Sequence, residues 1–269
     1  MANDNRASMW GGGASYETFM GRWSRLVARE FIPWLRIPAD ARWVDVGCGT
    51  GVLTQTVLDL AAPHTICTVD PAEGFLNYAR EQIRDARVQF ERGDACQLPL
   101  ETAAYDVVVS GLMLNFVPEP HAGLAEMCRV TRFGGTVAAY VWDYAERMEF
   151  LRYFWDAAVS CDPVAYEREE GRLFPLCHPA RLGALFEESA LQEVEMCHLD
   201  VVTHFRNFED YWSPFLGGQG PAPSYVASLS DAARHALRER LHAALPIAAD
   251  GSIKLIARAW AVRGKRNRS

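Results

Sequence analysis

Lysine is almost absent from this chain. Of its 27 basic residues only Lys254 and Lys265 are lysines, and 34 acidic residues bring the net charge to -7. A surface that holds nucleic-acid phosphates needs a cationic face, so nucleic acid is not expected as a partner. The arginine bias is read as composition, not as a recognition surface. The seven cysteines, at 48, 67, 96, 128, 161, 177 and 197, are odd in number and form no Cys-x-x-Cys pair. That pattern supports no zinc site, iron–sulfur cluster or disulfide framework, and no metal is expected. No stretch approaches the ~20 apolar residues of a membrane span. Met1–Gly13 is polar and Gly-rich and lacks the apolar run of a signal peptide, so a cytoplasmic chain is expected. Repeats and low-complexity tracts are also missing.

What is present is an ordinary globular balance, 49% hydrophobic against 23% charged, over a length of 269 residues that suits one large domain or a domain with a lid. Residues 42–142 alternate short β-branched runs with helical patterns. Strands are expected at Arg42–Val46, Thr65–Val69, Val88–Glu91, Asp106–Ser110 and Thr136–Trp142. Helices are expected at Thr50–Leu60, Ala72–Arg84 and Pro120–Thr131, the last ended by Phe133-Gly134-Gly135. This alternation, with near-continuous apolar strands, predicts a doubly wound α/β fold on a parallel sheet covered on both faces. Beyond Trp142 the pattern changes. Helices are expected at Ala145–Cys161, His178–Ser189 and Asp231–Leu245, and strands at Val194–Phe205 and Ser252–Val262. A Gly/Pro loop is expected across Leu216–Pro223.

The chemistry concentrates in Asp45-Val46-Gly47-Cys48-Gly49-Thr50-Gly51, between the first strand and its helix. Glycines there let a ligand approach the backbone, and parallel sheets bind ligands at the carboxyl ends of their strands. A dinucleotide fingerprint needs its third Gly or Ala three residues after the second. That position is Val52, and Gly51 arrives one residue early, so a nucleoside without a pyrophosphate is expected. Asp70 ends the second strand, followed by Pro71, and can accept hydrogen bonds from both ribose hydroxyls; capping the next helix would suit it too. Asp94 and Ala95, after the third strand, offer a carboxylate and an N–H to an adenine ring.

These stretches, with Tyr105-Asp106-Val107-Val108 and Glu126–Gly135, resemble the class I S-adenosylmethionine (SAM)-dependent methyltransferases, particularly the group that includes ubiquinone/menaquinone-biosynthesis methyltransferases. The resemblance is tight over about residues 40–142 and loose elsewhere. It implies a Rossmann-like, seven-stranded, mostly parallel sheet whose last strand is antiparallel, with helical lid insertions. It implies SAM as cofactor and S-adenosylhomocysteine (SAH) as product. Asp45 and Gly47 would meet the amino-acid end of SAM, Asp70 the ribose, and Asp94 with Ala95 the adenine. Cys48, Gly49, Gly51, Pro71 and Gly111 complete the expected cofactor contacts.

One domain, 1–269, is expected: an N-terminal cofactor-covering segment at 1–38, a SAM-binding core at 39–143, and lid or substrate insertions at 144–178 and 205–250. Tyr16 and Arg22 are candidates for the methionine carboxylate, although the Arg22 region also reads as an amphipathic helix on the sheet. The run Ser110–Phe116 puts Asn115 where this group often has a His. Asn115 and Asp143 are the catalytic candidates, with Tyr144, His178 and His204 behind them; Asp143 equally suits a helix cap. No Asn/Asp-Pro-Pro-Tyr/Phe run occurs, which disfavours DNA bases and glutamine as acceptors. Clustered aromatics from Trp142 to Trp155 and from Tyr211 to Phe215 point to a small aromatic or apolar acceptor under a mobile cover hinged at Gly217–Pro221. A non-catalytic SAM/SAH-binding regulatory module and an NAD-dependent oxidoreductase are the alternatives.

Overall fold

The computed structural model describes residues 21–217 and 220–267. Tyr16 and the centre of the expected hinge, Gly218-Gln219, lie outside them. The chain forms a seven-stranded sheet in the order β3-β2-β1-β4-β5-β7-β6. Its elements are α1 (Arg22–Leu35), β1 (Arg42–Val46), α2 (Val52–Leu60), β2 (Thr65–Asp70), α3 (Glu73–Gln82), β3 (Val88–Arg92) and β4 (Tyr105–Gly111). Then follow α4 (Pro120–Val130), β5 (Thr131–Trp142), α5 (Glu149–Cys161), α6 (Glu170–Leu173), α7 (Pro179–Glu187) and β6 (Leu191–Phe205). The chain closes with α8 (Phe208–Trp212), α9 (Pro221–Ser228), α10 (Asp231–Ala244) and β7 (Ile253–Arg266). Strands β1 to β5 pair in parallel. β7 runs antiparallel between β5 and β6, so the last strand in sequence sits inside the sheet.

Strand alternation divides the core. Trp43, Val107, Val109, Ala138, Tyr140 and Trp142 face one layer, packed by α1, α2 and α5. Val44, Val46, Val108, Val137, Ala139 and Val141 face the other, packed by α4 and α7. Side chains two apart in a strand share a face, which is why Tyr140 and Trp142 fall on the same side as Asp45 and Trp43.

The expected boundaries shift where a turn is folded into an element. β5 starts at Thr131, because Tyr105 pairs with Thr131 and Val107 already with Thr136, so Arg132–Gly135 bulge out within the strand. Gly134 takes φ 73° there, which is why Phe-Gly-Gly reads as a turn from sequence. β6 has a similar irregularity between Gln192 and Glu195, with Glu193 at φ 53°. α5 starts only at Glu149, because Asp143 organises the preceding residues as a turn. The expected Gly/Pro loop is shorter than Leu216–Pro223: Pro221 sits in the first turn of α9, where its missing N–H has no intrahelical role.

The region expected as a second cover, 205–250, is packed against the sheet in its aromatic part. Phe215 is 0% exposed and stacks on Phe150 and Phe154 at 4.6 and 4.4 Å between ring centroids. Tyr211 donates its hydroxyl to the Phe150 carbonyl at 2.8 Å, and Trp212 is buried in the same cluster. Glu170, buried, accepts from the indole of Trp155 and from the backbone N–H of Ala222 at 3.3 Å, tying α5, α6 and α9 together. Phe215→Ala should therefore lower unfolding free energy by about 3–5 kcal/mol, the usual cost of emptying a packed phenylalanine site. Chemical denaturation measures it, and a loss below about 1 kcal/mol would instead mark Phe215 as part of a cover that opens readily.

Candidate functional site

A cavity of about 300 Å³ opens at the carboxyl ends of the parallel strands. Its walls come from both sides of the point where strand order reverses between β1 and β4, the expected place for a ligand in such a sheet. Asp45, Gly47, Cys48, Gly49, Asp70, Pro71, Asp94, Ala95 and Gly111, all expected from sequence, line it together.

The loop after β1 is built by backbone geometry. Gly47, Gly49 and Gly51 take φ of 72°, 53° and 85°, a region unfavourable for residues with a Cβ. At Gly47 a Cβ would also fall 2.3 Å from Met113 Cγ, so the loop after β4 presses directly on this turn. Four of the loop's N–H groups are already used. Those of Gly47 and Cys48 donate to the Val69 carbonyl at 2.7 and 3.1 Å, and that of Gly51 to the Cys48 carbonyl at 2.9 Å. The Gly49 N–H donates to Asp70 Oδ2 at 3.0 Å. A pyrophosphate would find these donors taken and three carboxylates, Asp45, Asp70 and Asp94, around it. This opposes the nicotinamide alternative.

Asp45 is 1% exposed. Its Oδ2 accepts from Thr54 Oγ1 at 2.7 Å, while Oδ1 is buried without a partner. Burial pushes its pKa up to about 7, against the Thr54 hydrogen bond and with the nearby Asp70 charge. Asp70 is also raised by burial, opposed by the N–H groups of Ala72 and Gly49. Its Oδ1 accepts from Ala72 at 2.9 Å, at the start of α3. Asp70 thus serves the helix start and the glycine loop at once while facing the cavity. Burial and the two carboxylates push the Cys48 thiol far up, so it stays protonated. Asp94 Oδ1 accepts from the Cys96 N–H at 2.7 Å, which fixes the turn carrying Ala95.

The β4–β5 side of the cavity differs in character. Leu112, Met113, Phe116, Tyr140, Trp142 and Tyr144 line it. Leu112 has φ 64° and donates its N–H to the Tyr140 carbonyl at 2.8 Å, a strained turn that sends the chain across the cavity floor. Phe174 packs on Phe116 at 4.9 Å and on Tyr144 at 5.8 Å, so one part of the 144–178 segment reaches the site. No Arg, Lys or His is among the described lining residues.

Several candidates fall elsewhere. Asn115 is buried in the turn Leu114–Phe116 and does not line the cavity; its neighbour Phe116 does. Asp143 is buried outside the lining, accepting from the Glu146 N–H at 2.9 Å, so the turn-capping reading describes its place. Arg22 pairs with Asp210 at 3.2 Å and lies over the rings of Trp23 and Phe205, away from the lining. Gly51 starts α2 beneath Ala79 and Ile83. His178 and His204 are exposed, the former at the start of α7 and the latter on β6. Ser24, Thr54, Leu112, Met113, Phe116 and Tyr140 were not singled out from sequence. Only Ser24, a small polar residue on an apolar helical stripe, and Tyr140, two residues before Trp142, carried a signal. Among the described residues no three His, Cys, Asp or Glu are placed to hold a metal, and no helix is long and apolar enough to cross a membrane.

Residues 44–139 match a family model described as a methyltransferase domain. The chain is 30% identical to a demethylmenaquinone methyltransferase of Roseiflexus sp. (strain RS-1), over 58% of this chain and 70% of that one. It is 34% identical to 2-methyl-6-phytyl-1,4-hydroquinone methyltransferase 2, chloroplastic, of Oryza sativa subsp. japonica, over 44% of this chain but only 35% of the rice enzyme. The fold matches phosphoethanolamine N-methyltransferase 2 of Haemonchus contortus, solved in complex with S-adenosyl-L-methionine, with a TM-score of 0.56 at 16% identity, covering 99% of this chain and 58% of that one.

The raised pKa of Asp45 has a measurable consequence for stability. At Asp45 the folded chain keeps a proton that the unfolded chain has released, so the contribution of this group to stability falls as pH rises from about 4 to about 7. Asp45→Asn removes this ionisation. The unfolding free energy of the variant relative to the parent should therefore grow across that window, on the order of a few kcal/mol in total. Denaturant titrations at several pH values test it, and a pH-independent difference would show that Asp45 ionises normally.

Proposed function

Because the chain belongs to the class I SAM-dependent methyltransferases, we propose that it methylates a small, uncharged aromatic or apolar molecule by in-line displacement. The observation that carries this reading is the division of one cavity into a carboxylate half on β1–β3 and an uncharged aromatic half on β4–β5. The residues present fit the cofactor. It carries two cationic centres, a sulfonium and an ammonium, and one carboxylate; the cavity offers three carboxylates to the cations, with Asp45 Oδ1 still lacking a partner, and among the described lining residues only neutral groups to the carboxylate. Bound there, it supplies a methyl group that leaves sulfur without its bonding electrons and joins the acceptor's nucleophile, so that a neutral thioether remains.

The chain's own groups hold and align. Asp45 and the Gly47 turn take the amino-acid end, Asp70 the ribose hydroxyls, and Asp94 with the Ala95 N–H the adenine. Cys48, Gly49, Pro71 and Gly111 shape the walls. The sulfonium already activates the methyl group, so alignment supplies most of the acceleration. With Asn115 and Asp143 outside the lining, no dedicated base is assigned, which suits a nucleophile that is carbon-centred or readily ionised. The relatives named for hydroquinone and menaquinone chemistry support an aromatic ring as the acceptor. In this reading the cover is the first insertion, through Tyr144 and Phe174, rather than the packed aromatics of 205–250. Incubation with SAM and a panel of phenols and hydroquinones, followed by mass spectrometry, should show one added methyl group per SAH released. Failure across the panel by a protein that still binds SAH would sink the acceptor assignment.

Binding itself should depend on pH. A cationic ligand favours ionised Asp45, so SAM affinity should rise through about pH 7 and then level off. In Asp45→Asn the profile should be flat. Asp70→Ala should weaken SAM by about 1–3 kcal/mol, the cost of losing hydrogen bonds to a charged group. Calorimetry checks both, and unchanged affinity in a folded Asp70→Ala protein would leave Asp70 only its role in the loop and α3.

A further inference from the structure

The sheet ends in two unlike edges. β3 is five residues long, and its exposed positions are Gln89, Glu91 and Arg92. β6 is fifteen residues long, and among the described residues no strand pairs with its outer side. Beyond the irregularity at Gln192–Glu195 its ladder with β7 runs unbroken to Phe205. Edge strands are usually blunted by lysine, proline or a bulge, because free N–H and C=O groups invite another strand. Residues 196–205 contain no lysine, proline or glycine.

Backbone direction on β7 shows which residues of β6 own the free groups. The Arg258 N–H donates to the Arg147 carbonyl at 3.0 Å, and the Arg258 carbonyl accepts from the Asp143 N–H at 2.9 Å. The Ile256 N–H donates to Glu149 Oε2 at 2.6 Å. Ile256 and Arg258 therefore turn away from β6. Residues opposite each other in an antiparallel pair turn towards or away from one another together. Val202 and Asp200 lie opposite Ile256 and Arg258, so they point outward, and by alternation so do Met196, His198 and His204. Their side chains share one face of the strand. Val202 is 54% exposed, and His198, Asp200 and His204 are exposed as well. Met196 and His198 border a groove of about 490 Å³ between α7 and the sheet, with Trp260 and Gly183 also in its walls. Both oxygens of Asp200 accept from Arg258, at 2.6 and 2.8 Å, which holds this carboxyl below its ordinary range.

We propose that the chain forms a two-fold symmetric dimer in which β6 pairs antiparallel with β6 of a second copy, the axis passing through Leu199. Symmetry requires that if one residue meets a second across the axis, the second also meets the first. Outward-pointing residues must meet each other, so the axis passes through a residue and not between two. With Leu199 there, His198 faces the partner's Asp200 and Met196 faces the partner's Val202, each pair occurring twice. An imidazole N–H then meets a carboxylate, and the exposed isopropyl group of Val202 comes to the mouth of the groove beside Met196. A register centred on His198 or on Asp200 sets that residue against its own copy and forfeits both kinds of pair, and like charges directly opposite destabilise a sheet. Each seven-stranded sheet thus continues into the other. The cavity lies between β1 and β4, with β5 and β7 separating it from β6, so the dimer needs nothing from the cofactor site.

Sedimentation equilibrium of the full chain tests this, and should show a concentration-dependent rise to twice the chain mass. Val202→Lys changes an exposed side chain and should weaken the dimer by about tenfold or more. His198→Asp sets acids against the partner's Asp200, and Asp200→His sets imidazoles against the partner's His198. Each should weaken association by about tenfold. An equimolar mixture of these two variants should recover the parental association, because in the mixed dimer an acid meets an imidazole at both pairs. Should Asp200→His fail to fold without its Arg258 bonds, Val202→Lys and His198→Asp decide alone. A parent protein that stays monomeric at about 100 µM overturns the dimer. A dimer that Val202→Lys leaves intact overturns the strand interface. Charge variants that associate like the parent, or a mixture that fails to recover, overturn the Leu199 register.

Discussion

The site depends on how the backbone after β1 is tied to the end of β2. The Val69 carbonyl takes two N–H groups of the glycine loop, and the Asp70 carboxylate takes a third. These bonds close the turn and spend three of its donors on the protein. The cavity beside them is lined by carboxylates, which disfavours a phosphate there. A single constraint explains both the conformation of the loop and the charge of the ligand it suits.

From that turn the rest of the cavity follows by contact. Met113 presses on Gly47, so the loop after β4 is placed by the loop after β1. Leu112 holds a left-handed turn against the carbonyl of Tyr140, which couples that loop to β5. The order of the strands then sorts chemistry across the sheet, with acids over β1–β3 and rings over β4–β5. A buried carboxylate at Asp45, kept only partly ionised near neutral pH, is costly to the empty fold and favourable to a cationic ligand. The destabilised group is one that lines the cavity.

The aromatic residues beyond β5 divide by what they touch. Tyr144 reaches the cavity, and Phe174 holds it against Phe116. Phe150, Phe154, Tyr211 and Phe215 form a ring stack under α5 that also receives Trp23 and Phe205. That stack secures α1 and β6 to the sheet. Arg22, held there by Asp210, belongs to this packing, where the amphipathic reading of its helix put it.

The residues of 42–142 were legible in sequence because local rules govern them. Strand periodicity, glycine spacing and an acid at a strand end are each decided within a few residues, so Asp45, Gly47, Asp70 and Asp94 were found before any fold was drawn. β1 was bounded as it stands, and the other strands and helices of this half were found with shifted ends, most of all where Gly134-Gly135 make a bulge that sequence shows only as a break. The aromatic wall was another matter. Whether an aromatic residue at helical spacing faces a ligand or a neighbouring ring is decided by elements far apart in the chain. Phe215 meets Phe150 and Phe154 across some sixty residues, while Trp142 lines a cavity whose opposite wall comes from β1. Sequence alone determined the glycine turn after β1, because its conformation is carried by consecutive residues. Only the tertiary structure decided which rings line the cavity, because that choice is made by packing between segments that no local pattern connects.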